Sequence, residues 1–303
     1  MAATLPIGIY EKALPEYPSW SQTLASAGSA GFDFVEMSID ESDKRLARLD
    51  WTSAQRNELR NAIANTRVPI PMMCLSGHRK YPLGSASPAT RQRSLDIFRK
   101  AIDLSVDTGI RIIQLAGYYV YYEPHLEDSR NRYRDGLAQG LEWAAKSGVM
   151  LALENVDGDD VCSISTAMQF VEEFHSPWFQ IYPDIGNLGE HGLDVCAELE
   201  RGRGHIVGVH VKDTRPGEPR RVPFGQGVVP FGDAFRKLAE MQFTGPVMLE
   251  MWNDNSPDSL RIIQQARKWI VDRMAQANLV STEMGSGSEA SCVADERRQC
   301  VAL

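Results

Sequence analysis

Short apolar runs, rich in β-branched and aliphatic residues, alternate along this chain with longer segments of mixed polarity. Eight runs predict strands: Leu5–Tyr10, Phe32–Met37, Pro69–Leu75, Arg111–Ala116, Val149–Glu154, Phe179–Asp184, Ile206–Val211 and Val247–Met251. Runs of this length bounded by Gly or Pro fit strands buried on both faces of a parallel sheet. Between them apolar residues recur at helical spacing. Leu95, Phe98, Ile102 and Val106 mark one face of a helix over Ala89–Thr108. Tyr133, Leu137, Leu141 and Ala144 do the same over Arg130–Ser147, and Leu260, Ile263, Ala266, Ile270 and Met274 over Asp258–Met274. Gly31, Gly109, Gly148 and Gly245 each precede a predicted strand, where a helix end often needs left-handed backbone. After the sixth strand the helical segment, Leu193 to Arg201, is short. Strand and helix alternating eight times predict an α/β fold, a (β/α)8 TIM barrel over residues 1–279. From Val280 to Leu303 the composition turns small and polar and loses its period, which predicts a flexible tail outside the barrel.

Composition narrows the function classes. The net charge of −8 repels phosphodiester backbones, so no nucleic-acid partner is expected. No apolar run approaches the roughly 18 residues of a membrane span, and Met1–Tyr10 does not read as a secretory signal. The five cysteines are scattered without a C-x-x-C pair, so neither a disulfide framework nor a thiolate zinc site is expected. A cytoplasmic location follows as the expectation. No G-x-G-x-x-G follows the first strand and no phosphate-binding Walker loop occurs, which leaves nucleotide binding without support.

Four predicted strands run into residues able to bind a hard metal: Glu154, Asp184, His210 and Glu250. Their intervals of 30, 26 and 40 residues are each about one strand–helix unit. Strand C-termini of a closed parallel barrel converge on one face, which carries the chemistry. A single acid at a strand end is most simply a helix cap or salt bridge. Four on successive strands point instead to one oxygen-rich site for a divalent ion: Zn²⁺ or Mn²⁺, with Mg²⁺ a third candidate.

The motifs around these residues resemble a known family. Leu153-Glu-Asn155, Asp184-Ile-Gly-Asn187, His210-Val-Lys-Asp213 and Leu249-Glu-Met-Trp252 are similar to the xylose-isomerase-like barrel superfamily. Gly8-Ile-Tyr-Glu-Lys-Ala13 and Gly225-Gln-Gly-Val-Val-Pro-Phe231 narrow the resemblance to the L-xylulose-5-phosphate / L-ribulose-5-phosphate 3-epimerases of sugar-acid catabolism. It extends from about Leu5 to Asn278. The resemblance implies that Glu154, Asp184, His210 and Glu250 hold one divalent metal. It also implies that Glu154 and Glu250 are the acid/base pair and that the partner is a small phosphorylated ketopentose. Related D-tagatose 3-epimerases, which use free sugars, carry a histidine where this chain has Asn187. That departure counts against a free ketose.

Weaker candidates for substrate contact are Asn187, His78 in the segment His78-Arg79-Lys80 after strand three, which could bind phosphate or a substrate hydroxyl, and Lys212 and Arg215 after strand seven. Barrels often hold phosphate after strand seven. A solvated loop explains His78 about as well. Arg215 lies in a Pro/Gly-rich loop that reads as a lid. Tyr118, Tyr119, Tyr121 and Tyr122 either wall the pocket or form a dimer contact, and a homodimer is a common arrangement for such barrels. Glu36, ending strand two, reads as a substrate contact or, more simply, a structural salt bridge. Rival activities are an aldose–ketose isomerase or free-ketose 3-epimerase on the same ligands, an abasic-site nuclease, and a non-catalytic sugar-binding barrel. Six histidines and net −8 disfavour the nuclease.

Overall fold

The computed structural model describes residues 5–279. Ten strands occur in chain order: β1 (Ile7–Tyr10), β2 (Phe34–Ser38), β3 (Met72–Cys74), β4 (Ile112–Ala116), β5 (Met150–Glu154), β6 (Phe179–Ile181), β7 (Val209–Val211), β8 (Asp213–Arg215), β9 (Glu218–Val222) and β10 (Val247–Leu249). Eight of them pair in parallel in the order β6-β5-β4-β3-β2-β1-β10-β7. The circle closes through parallel bridges Ile181–Ile206 and Asp184–His210. The His210 amide donates to Pro183 O at 2.8 Å across that seam. This is the expected (β/α)8 barrel.

Among the described residues, ten α-helices surround it: α1 (Trp20–Ser29), α2 (Asp43–Leu46), α3 (Ser53–Thr66), α4 (Pro88–Thr108), α5 (Ser129–Ser147), α6 (Ile164–Phe174), α7 (Ile185–Glu190), α8 (Val195–Arg201), α9 (Phe231–Glu240) and α10 (Ser259–Gln276). Local chemistry sets their ends. Ser19, Ser87 and Ser163 cap α1, α4 and α6 with side-chain oxygens, Pro88 opens α4, and Thr52 with Gln55 forms a capping box on α3. Gly109 and Gly148 close α4 and α5 in left-handed backbone, with φ of 85° and 67°. Gly245 does not act this way. Helix α9 ends at Glu240 with Met241 as its C-cap, and Gln242 takes the positive φ of 56° instead.

Several strands are shorter than the apolar runs. Prolines explain two of the trims, because Pro71 and Pro183 have no N–H to donate and flank β3 and β6. Helix α8 occupies the short segment expected over Leu193 to Arg201, and a further short helix, α7, precedes it because Asp184 caps its first turn. The loop after strand seven is an antiparallel hairpin, β8–β9, turning at Gly217 with φ of 77°. The expected tail from Val280 lies outside the described residues. Among the described residues, no helix is long and apolar enough to cross a membrane.

Side chains alternate across each strand, and this phase places the chemistry. Tyr10, Phe34, Met72, Cys74, Ala152, Tyr182 and Met248 pack together inside the barrel. Ile9, Val35, Met73, Leu151, Val209 and Leu249, one residue out of phase, pack in the layer beneath the helices. Gly8 keeps the floor filled: a Cβ there would lie 2.1 Å from the Phe34 ring. Continuing the inward phase to the strand ends reaches Glu36, Gln114, Glu154, Asp184, His210, Lys212 and Glu250. Seven polar side chains therefore meet above an apolar plug.

Candidate active site

Asp184 ends the sixth strand and caps α7. One carboxylate oxygen, Oδ1, accepts from the Gly186 and Asn187 amides at 2.7 and 3.2 Å. That leaves Oδ2 for the barrel axis, 2.7 Å from Lys212 Nζ. Gly186 is needed there, because a Cβ would sit 2.5 Å from Lys212 Cγ. Asn155 fixes the strand end from the next strand over. Its Oδ1 accepts from the Asp184 amide at 2.9 Å, and its Nδ2 donates to Asp184 O at 3.0 Å.

Around this anchor, Glu154, Asp184, His210 and Glu250 each offer one donor atom within 4.8 Å of all the others, and all four are buried. Glu154 Oε2 accepts from Gln114 Nε2 at 2.5 Å, and Oε1 faces His210 Nδ1 at 2.7 Å. Lys212 Nζ lies 2.7 Å from Glu250 Oε2 as well as from Asp184. Three buried carboxylates, an imidazole and one ammonium leave an excess of negative charge that a hard dication would balance. The oxygen-rich donor set fits such an ion and does not fit a structural zinc site.

The environment pushes these groups in different directions. Burial raises the pKa of Asp184, more than nearby Lys212 offsets. Burial also pushes Glu250 upward, but Lys212 and His210 outweigh it and hold the carboxyl at about 2. Burial disfavours a charged His210, yet the carboxylates of Glu36 and Glu154 reverse the sign and raise its pKa.

Glu154 and Glu250 line a cavity of about 190 Å³ together with Tyr10, Lys12, Cys74, Ser76, Arg79, Ala116, Arg220 and Trp252. Three cations thus face it. Lys12 is paired with Asp40 at 2.6 Å and Arg220 with Asp157 at 2.7 Å. Arg79 has no carboxylate partner among the described residues. Its guanidinium lies 5.3 Å from the ring centres of both Tyr118 and Tyr121.

The four residues expected to share a metal are thus brought together, and Lys212 joins them. Asn187 lies beside the site, but its amide donates to Asn155 O at 2.8 Å, bracing α7 against the segment that follows β5. His78 and Arg215 do not line the cavity. The short 3-10 turn Ser76–Arg79 turns the His78 ring towards α4, where Nε2 meets Ser94 O at 3.2 Å and the ring packs on Phe98. It brings Arg79 to the mouth instead. Arg215 is half-buried on the hairpin, donating to Gln226 O at 3.0 Å and pairing with Glu218. Of the segment 78–80 expected to contact substrate, Arg79 rather than His78 lines the cavity, while Arg220, Lys12 and Gln114 were given no role from sequence. Gln114 was detectable from its inward phase on β4; Arg220 was not, because its hairpin read as a loop.

A family model for the xylose isomerase-like TIM barrel matches residues 24–273. The L-ribulose-5-phosphate 3-epimerase UlaE of Escherichia coli O1:K1 / APEC is 50 % identical over 280 residues, covering 92 % of this chain and 99 % of its own. The chain belongs to the L-ribulose-5-phosphate 3-epimerase family of xylose isomerase-like TIM barrels. Another member of this epimerase family, from Escherichia fergusonii, is 49 % identical over 280 residues, again covering 92 % and 99 % of the two chains. Among solved structures, an L-ribulose 3-epimerase superposes with a TM-score of 0.74 at 22 % identity, covering 90 % of this chain and 96 % of its own. A D-psicose 3-epimerase, crystallised with D-fructose, gives 0.75 at 15 % identity, covering 89 % and 99 %. At such identities these two share the family's fold, and the epimerase family itself rests on the nearer relatives.

Proposed function

We propose that this protein interconverts L-ribulose 5-phosphate and L-xylulose 5-phosphate by inverting C3. The relatives at half identity are named for this activity on L-ribulose 5-phosphate. The observation that carries the reading is the double membership of Glu154 and Glu250. Both belong to the four-donor group, and both line the same cavity.

Inversion at C3 needs a proton taken from one face of the sugar and returned to the other. One glutamate removes the C3 proton, and the bonding pair moves into the C2 carbonyl to form an enediolate. The second glutamate, on the opposite face, protonates C3. The two carboxyls exchange protonation states, and solvent resets them. Positioned acid–base catalysis of this kind contributes roughly 10²–10⁴-fold. Glu154, Asp184, His210 and Glu250 would hold a divalent ion, Zn²⁺ or Mn²⁺ before Mg²⁺, and such an ion would supply Lewis-acid stabilisation of the developing enediolate charge. Lys212 holds Glu250 ionised and oriented.

The phosphate reading rests on Arg79. A cation at the reaction cavity with no carboxylate partner, backed by two tyrosine rings, is suited to a dianionic substrate group. Lys12 and Arg220 face the same space. The test is turnover of L-ribulose 5-phosphate in D₂O followed by NMR. Deuterium at C3 of substrate and product is the expected result. Deuterium at C1 with none at C3 would instead identify an aldose–ketose isomerase.

A further inference from the structure

Among the described residues, Glu36 is the one inward-facing acid at the barrel strand ends that the proposed chemistry does not use. It has no exposed surface, and it is not among the residues lining the cavity, so substrate cannot reach it. Its carboxylate lies against the far nitrogen of the His210 ring, with Nε2 at 3.1 and 3.2 Å from its two oxygens. The near nitrogen, Nδ1, is the one that faces Glu154 at 2.7 Å. Tyr182 closes the ring's flat side edge-on, its centroid 4.5 Å away, and its hydroxyl is anchored on Met72 Sδ at 2.8 Å.

We propose that Glu36 is a positioning residue that fixes His210 as the Nε2–H tautomer and so aims Nδ1 at the metal. The inference rests on reading Glu154, Asp184, His210 and Glu250 as a metal site. A ring nitrogen that binds a metal carries no proton, so the proton must sit on the other nitrogen and needs an acceptor there. In this barrel floor the acceptor is Glu36. A carboxylate accepts and cannot donate, so it admits one tautomer only, whereas a glutamine could turn its amide group and admit both. Register places Glu36 beside Tyr10 and Met72 on the neighbouring strands, which holds its side chain just above the apolar plug, at the bottom of the site.

The experiment compares wild type, Glu36→Gln and Glu36→Asp. Dissociation constants for Zn²⁺ and Mn²⁺ are measured by chelator competition, and thermal unfolding is followed with chelator present. The His210 tautomer is read from ¹⁵N–¹H NMR of the Zn²⁺-loaded protein. Loss of an outer partner of a metal-bound histidine typically weakens binding about 10–100-fold, and that is the expected change for both variants. The expected NMR signature in wild type is a protonated Nε2 and a bare Nδ1. A wild type that binds metal with Nδ1 protonated overturns the proposal. So do variants whose metal affinity matches wild type, whatever their unfolding temperature. A wild type that binds no divalent metal overturns instead the metal-site reading on which this one stands, so the two failures are distinguishable.

Discussion

Replacing Arg79 by methionine separates recognition of the phosphate from the chemistry at C3. The guanidinium faces the reaction cavity, lies 5.3 Å from two tyrosine rings and has no carboxylate partner among the described residues. A hydrogen bond to a charged group contributes about 1.5–3 kcal/mol. At about 1.4 kcal/mol per factor of ten, losing that contact lowers kcat/KM for L-ribulose 5-phosphate roughly 10–150-fold. Unphosphorylated L-ribulose never makes the contact, so its slow turnover stays within about twofold. Folding stability changes little. The variant loses two cation–π contacts of about 0.5–1 kcal/mol each, but it also no longer desolvates a cation without an ionic partner. The assay is a coupled rate measurement on both sugars, with Tm recorded alongside. Equal losses on the two sugars, or no loss on either, would refute the assignment of Arg79 to the phosphate.

Three further outcomes follow from the geometry. Asn155→Ala strips the acceptor from the buried Asp184 amide, which costs about 1–3 kcal/mol, measurable by urea unfolding, and weakens divalent-metal affinity in parallel. Gly227→Ala places a Cβ 2.0 Å from Asp213 Oδ1, the carboxylate that gathers the Gly225 and Gly227 amides, so the hairpin loop must shift. Overpacking of this kind costs about 1–3 kcal/mol in Tm-derived stability, and proteolysis should cut first within residues 213–229. Burial pushes His78 from its ordinary 6.5 down to about 4. The unfolded chain then takes up a proton that the fold refuses, and stability falls as pH drops through that window. Between pH 6.5 and 5 this one group accounts for about 1.6 kcal/mol, so His78→Gln should be less acid-sensitive than wild type by that amount in urea titrations. Parallel curves for the two proteins would reject the assignment.

The barrel was legible because its strands are apolar on both faces and its helices are amphipathic, two patterns that local sequence records directly. The four-donor group was legible for a related reason: each member ends an apolar run, and parallel strand ends must converge. Arg79 and His78 show where that logic stops. They are neighbours on one short turn, and which of them faces the mouth depends on how the turn packs against α4. The same holds for Arg215 and Arg220, on opposite strands of a hairpin whose Pro/Gly-rich sequence reads as a loop. The role of Asn187 was hidden because its partner is a backbone carbonyl, Asn155 O, which no side-chain pattern reveals. Glu36 was visible by phase on β2, but nothing in the sequence shows that an imidazole nitrogen waits opposite it.

Anomalous diffraction from crystals grown with Mn²⁺ tests the central claim most directly. One strong peak bonded to Glu154, Asp184, His210 Nδ1 and Glu250, lost in Asp184→Asn, is the predicted result. A peak elsewhere, or none at saturating Mn²⁺, would contradict the account.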